Sequence, residues 1–492
     1  MNRKFFIAGL IIIAHASIAQ TKYTITEVIQ LAINQSPFSK QALTQKETSY
    51  WQYVSYKTNY NPQLRLNASS PYTSGFSNTP QNDGSVAFRQ ATNFTPSMNL
   101  GLLQPIPWTG GTVSVNTNYL YINSVAPDPN NPGANINREA WQSGLYNIQL
   151  TQPVFSYNPL RWDKKTKPII LEESKRQYVQ DMESISREAA SRFFDVLTYQ
   201  ANEQIAKFNL ANNDTIHKIE QGRYNIGTTS QDKLLQVELQ LLRSRQDVAQ
   251  AKLDLQNGML RLRTYIGLKD GDNFNLVMPE AIPEFELTEE EALAHAKKNR
   301  ADYIAFDRRR IEAEASVAQA KGQRYQANIS ASYGLNNSAP IIPDLYRAPS
   351  TQQIGSLSFN IPIIDWGRRR SLMQTAYANK RLNDFTIAQD EVNFEQEIIT
   401  QVRQFELLRL QIEITKKSDA VALERYIVAQ NRYLIGKIDI TNLAIALTEK
   451  DNAKRNYITA LKSFWTAYFN LRRLTLYDFV TGKSLYAQAD AN

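Results

Sequence analysis

RYNIGTTSQD, residues 223–232, interrupts a run of 110 residues, Ile169 to Met278, that contains no proline. RYLIGKIDIT, residues 432–441, repeats the interruption. At an offset of 209, Arg223, Tyr224, Ile226 and Gly227 fall on Arg432, Tyr433, Ile435 and Gly436. A glycine where a long helical pattern stops predicts a left-handed residue that ends the helix and lets the chain reverse. Thr228, Thr229 or Ser230 in the first turn, and Asp439 or Thr441 in the second, can cap the returning helix.

The turns belong to a larger duplication. The same offset carries Ile148, Leu150, Gln152 and Pro153 onto Leu357, Phe359, Ile361 and Pro362. Further upstream, Ile25, Thr26, Glu27, Leu31 and Ala32 match Leu287, Thr288, Glu289, Leu293 and Ala294 at an offset of 262. The offsets differ by 53 residues, so the first half carries an insert between Leu66 and Ile148. That region is rich in loop residues, and eleven of the nineteen prolines lie in 61–160. Each half reads as helix, strand hairpin, very long helix, turn, helix. Thr24 or Thr26, and Thr288, are expected to cap the first helix of each half. The strand candidates alternate: Leu64, Leu66, Ala68; Leu145 to Gln152; Ile329, Ala331, Tyr333; and Leu357 to Ile361.

Lys164 to Tyr224 is 61 residues, which as one helix would span roughly 90 Å at about 1.5 Å per residue. Such a helix needs partners along its length, and a seven-residue seam supplies them. Leu234, Leu241, Val248, Leu255 and Leu262 form one row, and Val237, Ser244, Ala251 and Gly258 form another. Ala446, Ala453, Ala460 and Ala467 repeat the second row in the other half. Small residues there let helix backbones approach closely, and a strict seven-residue period implies a left-handed supercoil.

Composition narrows the function classes. MNRKFFIAGLIIIAHASIAQ has a basic start, a short apolar stretch and a small-residue exit, so residues 1–19 read as a secretory signal, with the mature chain starting near Gln20. No later stretch is apolar enough for a membrane helix, so any membrane segment must be built of strands. There is no cysteine, hence neither a disulfide nor a thiol to carry a lipid. Outside the signal only His217 and His295 remain, far apart, and no catalytic motif accompanies them. No enzyme, cofactor or metal site is therefore expected. Without Arg3 and Lys4 the formal charge falls from +8 to +6, and its signs alternate along helical segments. That pattern is a solvated face and not a nucleic-acid patch.

With LTQPVF and FNIPII before each long helix, glycine turns at 223–232 and 432–441, and the duplicated plan, the chain from about 21 to 480 resembles the TolC family of outer-membrane factors. The resemblance implies an α+β membrane protein: a homotrimeric duct whose strands share one β-barrel, four per chain, continuous with a periplasmic coiled-coil α-barrel. It divides the chain into the signal, a first repeat at 20–285 with its insert at about 70–140, a second repeat at 286–480, and a tail at 481–492. The insert, with alternation around its Pro-Trp-Thr-Gly-Gly turn, either adds strands or folds as a loop. Trp51, Tyr53, Tyr56, Tyr60 and Trp366 are girdle candidates, with helix packing the competing reading, and Arg368 to Arg370 suit a membrane exit.

The implied function is the exit duct of a tripartite efflux pump or a type I secretion system, working with a periplasmic adaptor and, through it, an inner-membrane transporter. A poreless periplasmic coiled-coil protein is the alternative. The family places adaptor contact and channel closure at the helix tips, which here carry Arg223, Tyr224, Gly227, Arg432, Tyr433 and Gly436. Some relatives gate with carboxylates just beyond the second tip glycine. Asn442 and Ile445 stand there instead, leaving Asp232, Asp439 and Asn442 as gate candidates.

Overall fold

The structure, a computed structural model, describes residues 21–80, 84–128, 134–268 and 274–490. The expected signal at 1–19 lies outside them. In chain order the elements are β1 (Thr21–Tyr23), α1 (Ile25–Gln35), α2 (Pro37–Thr58), β2 (Gln63–Ser69), β3 (Tyr72–Pro80), β4 (Val86–Phe94), β5 (Ser97–Ile106), β6 (Gly111–Pro127), β7 (Asn135–Val154), α3 (Pro159–Asn225), α4 (Gln231–Ile266) and β8 (Phe274–Leu276). The second half gives α5 (Glu289–Asn299), α6 (Ala301–Gly322), β9 (Gln326–Ala339), a 3-10 turn (Ile342–Tyr346), β10 (Ser350–Asn360), α7 (Arg368–Leu434) and α8 (Ile440–Thr475). A small hairpin, β11 (Tyr477–Asp478) and β12 (Lys483–Ser484), and α9 (Leu485–Asp490) follow. No described helix is long and apolar enough to cross a membrane.

The chain forms two compact units, and they are not the two repeats. One holds the residues up to Gln45, Arg176–Arg300 and the chain from Phe394 onward; the other holds Lys46–Lys175 and Ala301–Asn393. Each unit draws on both halves.

In the helical unit, Thr24 caps α1 through a reciprocal box: its hydroxyl accepts from the Glu27 amide, while its own amide donates to Glu27 at 2.8 Å. Thr288 caps α5 by a single bond, its hydroxyl accepting from the Glu291 amide at 3.2 Å. The core joins Val28 and Ala32 of α1, Phe193 and Phe194 of α3, Leu262 and Ile266 of α4, Phe405 of α7, and Ile458 and Phe464 of α8. Each fully buried large side chain there contributes about 1.5–3 kcal/mol.

In the other unit, the described residues form one eight-stranded antiparallel sheet. The order runs β10-β9-β7-β6, and β6 then pairs with β5 along one stretch and β4 along another; β2 joins β5, and β3 joins β4. The four expected strand segments are all present as β2, β7, β9 and β10. The expectation of four strands per chain does not hold, because the insert supplies β3, β4, β5 and β6 to the same sheet. The cause is its own alternation: Leu102, Leu100 and Met98 lie opposite Leu64, Leu66 and Ala68 and extend their apolar row. Gly110 at φ 77° then turns β5 into β6.

Register carries that row across the sheet through Val113 and Val115, Leu150 and Ile148, Tyr333 and Ile329, and on to Leu357 and Phe359. The opposite face presents Asn67, Asn99, Asn116, Asn147, Ser332 and Ser356. One side of the sheet is mainly apolar and the other mainly amide and hydroxyl. The last helix of the first hairpin also begins earlier than Lys164: α3 starts at Pro159 and runs through Pro168, with the Asn158 side chain accepting from the Arg161 amide.

Candidate closure and docking site at the helix tips

α3 and α7 stop identically. At the first tip the Thr228 amide donates to the Arg223 carbonyl at 2.8 Å and the Gly227 amide to Tyr224 at 2.9 Å; at the second, Lys437 donates to Arg432 at 2.8 Å and Gly436 to Tyr433 at 3.0 Å. These paired bonds satisfy the last helical carbonyls and require a left-handed residue, which Gly227 (φ 73°) and Gly436 (φ 71°) supply. Ser230 caps α4, accepting from the Lys233 amide, and Asp439 caps α8, accepting from the Asn442 amide at 2.9 Å.

The repeat is symmetric in backbone and asymmetric in side chains. Tyr433 is buried, whereas its counterpart Tyr224 is exposed. The Tyr433 hydroxyl donates to Glu220 of α3 at 2.7 Å, and Glu220 also pairs with Arg223 at 2.8 Å. The Arg223 guanidinium sits 5.4 Å from the centre of the Tyr433 ring. Burial works to raise the Glu220 carboxyl, but bonds from Tyr433, Arg223 and Thr229 outweigh it and hold the group below its ordinary value. Burial and the Glu220 bond push the Tyr433 phenol upward, so it stays a donor. The cluster borders a cavity of about 500 Å³ lined also by Lys233, Lys437 and Asp439. It ties the α3–α4 hairpin to the α7–α8 hairpin inside one chain.

The other expected residues are placed as follows. Arg432 and Asp232 are exposed, and the Asn442 side chain donates to Asp439 at 2.7 Å, so these two gate candidates bind each other locally. Val237, Ser244, Ala251 and Gly258 are buried, as are Ala446, Ala460 and Ala467, while Ala453 is half-buried. Asn213 donates to Ser244 at 2.6 Å, and a side chain at Gly258 would run into the Tyr199 ring. The leucine row is uneven: Leu241 and Leu262 are buried, and Leu234, Val248 and Leu255 only partly. Along the helices Asn209 donates to Asp451 at 2.7 Å, and Arg472 makes a bidentate pair with buried Glu183. Sequence reasoning missed Glu220, because its repeat counterpart is Ala429. Its one signal is the three-residue spacing to Arg223 on a helix.

The family model described as Outer membrane efflux protein matches residues 106–268 and 292–475, one segment in each half. The chain belongs to the outer membrane efflux protein family. This efflux protein is also similar in fold to the CmeC outer membrane channel of Campylobacter jejuni (15% identity, 92% of this chain and 85% of that one, TM-score 0.66). It resembles the outer membrane protein VceC of Vibrio cholerae (14% identity, 92% and 95% covered, TM-score 0.62) and the open-state MtrE channel of Neisseria gonorrhoeae (14%, 92% and 88%, 0.58). No curated protein matches it. The efflux protein is therefore an outer-membrane channel and not an enzyme, and the poreless coiled-coil alternative falls. A sheet with one mainly apolar face suits strands that meet lipid.

Proposed function

We propose that three copies of this chain close one barrel and one helical duct, which receives substrate from an inner-membrane transporter through a periplasmic adaptor and releases it outside. The observation that carries this is the pair of open sheet edges: among the described residues β10 pairs only with β9, while on the other side β2 pairs only with β5 and β3 only with β4. In lipid each unsatisfied backbone group costs several kcal/mol, so an open sheet with a hydrocarbon face must close on further copies. Three is the family's number. The tips are the adaptor-docking surface: beside the paired turns they leave Ile226, Leu434 and Ile435 exposed, apolar anchors on otherwise polar hairpins. The Glu220–Tyr433–Arg223 cluster favours the closed arrangement, with Asp439 and Asn442 beside it.

The native chain has no cysteine, so single cysteines along Gln63–Ser69 and Ser350–Asn360 give a clean test. Short crosslinkers are expected to link β2 of one copy to β10 of the next, giving a ladder that ends at three chains. Crosslinking confined to single chains would refute closure. Co-purification of a drug transporter or a protein exporter with the adaptor separates efflux from type I secretion.

A further inference from the structure

We propose that a cavity at the periplasmic end of the sheet binds the phosphate headgroup of an anionic phospholipid of the inner leaflet. The cavity holds about 760 Å³ and is walled by Tyr53, Tyr56 and Tyr60 of α2 and its end, by Trp108 in the β5–β6 turn, and by the first turns of α3. Three cations line it, Lys57, Arg161 and Lys164, and no acidic side chain does. None of the three forms an ion pair among the described residues. Asp163, which acts electrostatically on Tyr56, is not part of the lining.

The walls are held in place. The Tyr56 and Tyr60 hydroxyls bond at 2.8 Å, Tyr60 donates to the Leu160 carbonyl at 2.9 Å, and the Asn158 amide donates to the Pro107 carbonyl at 2.7 Å. α2, the β5–β6 turn and α3 thus form one bracket. Its position follows from the register. Gln63 pairs with Leu103, Ile106 with Gly111, and Thr112 with Thr151, so these strand ends meet where the helices attach. Gln104 shares the face of Leu100 and Leu102 and donates to the Tyr60 carbonyl at 3.0 Å, which puts the bracket at the border of the apolar face.

What lies beside that border in the outer membrane is the headgroup layer of the inner, phospholipid leaflet. Tyrosine and tryptophan rings are at home at that depth, and Trp108 is 82% exposed. Lysine and arginine without ion pairs there attract anionic headgroups, and arginine fits phosphate oxygens with paired N–H donors; Lys57 is held over the Tyr53 ring, 4.8 Å from its centre. This site rests on the outer-membrane placement of the chain and does not depend on tip docking or the number of copies.

The full-length protein in detergent, mixed with phosphatidylglycerol or phosphatidylcholine, is read by native mass spectrometry for retained lipid. Phosphatidylglycerol should be retained at least about tenfold more, and the Lys57→Gln, Arg161→Gln, Lys164→Gln variant should lose that preference, as expected where each cation adds to anionic-lipid attraction. The single variants Arg161→Gln and Lys164→Gln, both at exposed positions, should each lose part of it, which keeps the test open if the triple variant folds poorly. Lys416→Gln with Lys417→Gln, on α7 outside the cavity, should change nothing. Equal retention of the two lipids, an unchanged triple variant, or displacement of phosphatidylglycerol by millimolar inorganic phosphate would overturn the proposal, the last by revealing a free-anion site.

Discussion

Replacing Tyr433 by phenylalanine removes one hydroxyl from the buried tip cluster and leaves the ring, the turn and the Glu220–Arg223 pair in place. The lost bond is 2.7 Å long and ends on a carboxylate, and bonds to charged groups contribute about 1.5–3 kcal/mol. Since about 1.4 kcal/mol is a factor of ten, the closed-to-open ratio of the tips should fall by about 10- to 150-fold. The assay is single-channel recording of the purified protein in planar bilayers, comparing open probability and conductance with the parent. Tyr224→Phe is the built-in control, since it changes the repeat-equivalent tyrosine, which is exposed, and it should behave as the parent does. A Tyr433→Phe channel as closed as the parent, or a Tyr224→Phe channel equally open, would refute the role of the cluster.

Three further outcomes follow. Glu220 has a depressed carboxyl value in the folded protein, so its contribution to stability is complete above its ordinary value of 4.5 and is lost as pH falls through the folded value. Acid titration of the melting temperature should show this component in the parent and lack it in Glu220→Gln. Gly258→Ala places a methyl against the Tyr199 ring and should destabilise by about 1–3 kcal/mol through overpacking, read as a lower midpoint of thermal unfolding. Gly227→Asp with Gly436→Asp forces side chains onto left-handed residues whose surroundings are open, costing about 1–2 kcal/mol each. A folded protein with weakened in vivo crosslinking to its adaptor is expected, and undiminished crosslinking counts against tip docking.

Much of the fold was legible because it was written twice. The 209 offset located both tips, and their identical backbone bonds show why: Arg223, Tyr224 and Gly227 encode a helix stop, and so do Arg432, Tyr433 and Gly436. Alternation at Leu64, Ile148, Ile329 and Leu357 gave four strands correctly, since each contributes to the apolar row of one sheet. The insert was under-read because prolines at 96, 105 and 107 signal loops even where β5 continues between them and β6 begins just beyond. The start of α3 was read five residues late, at Lys164, because Pro159 follows a proline-rich stretch, although proline suits the first position of a helix. At the site, repetition misled in one respect. It treats Tyr224 and Tyr433 as equals, and only the packing of α3 beside α7 decides which is buried and finds Glu220, which has no counterpart in the other half.

The most direct test of the duct is the mass of the detergent-solubilised particle. A chain whose sheet edges β2 and β10 are closed by further copies should run at three times the mass of one chain and should dissociate only when the barrel is denatured. A stable particle at the mass of a single chain, 56.1 kDa for the full sequence, would contradict it.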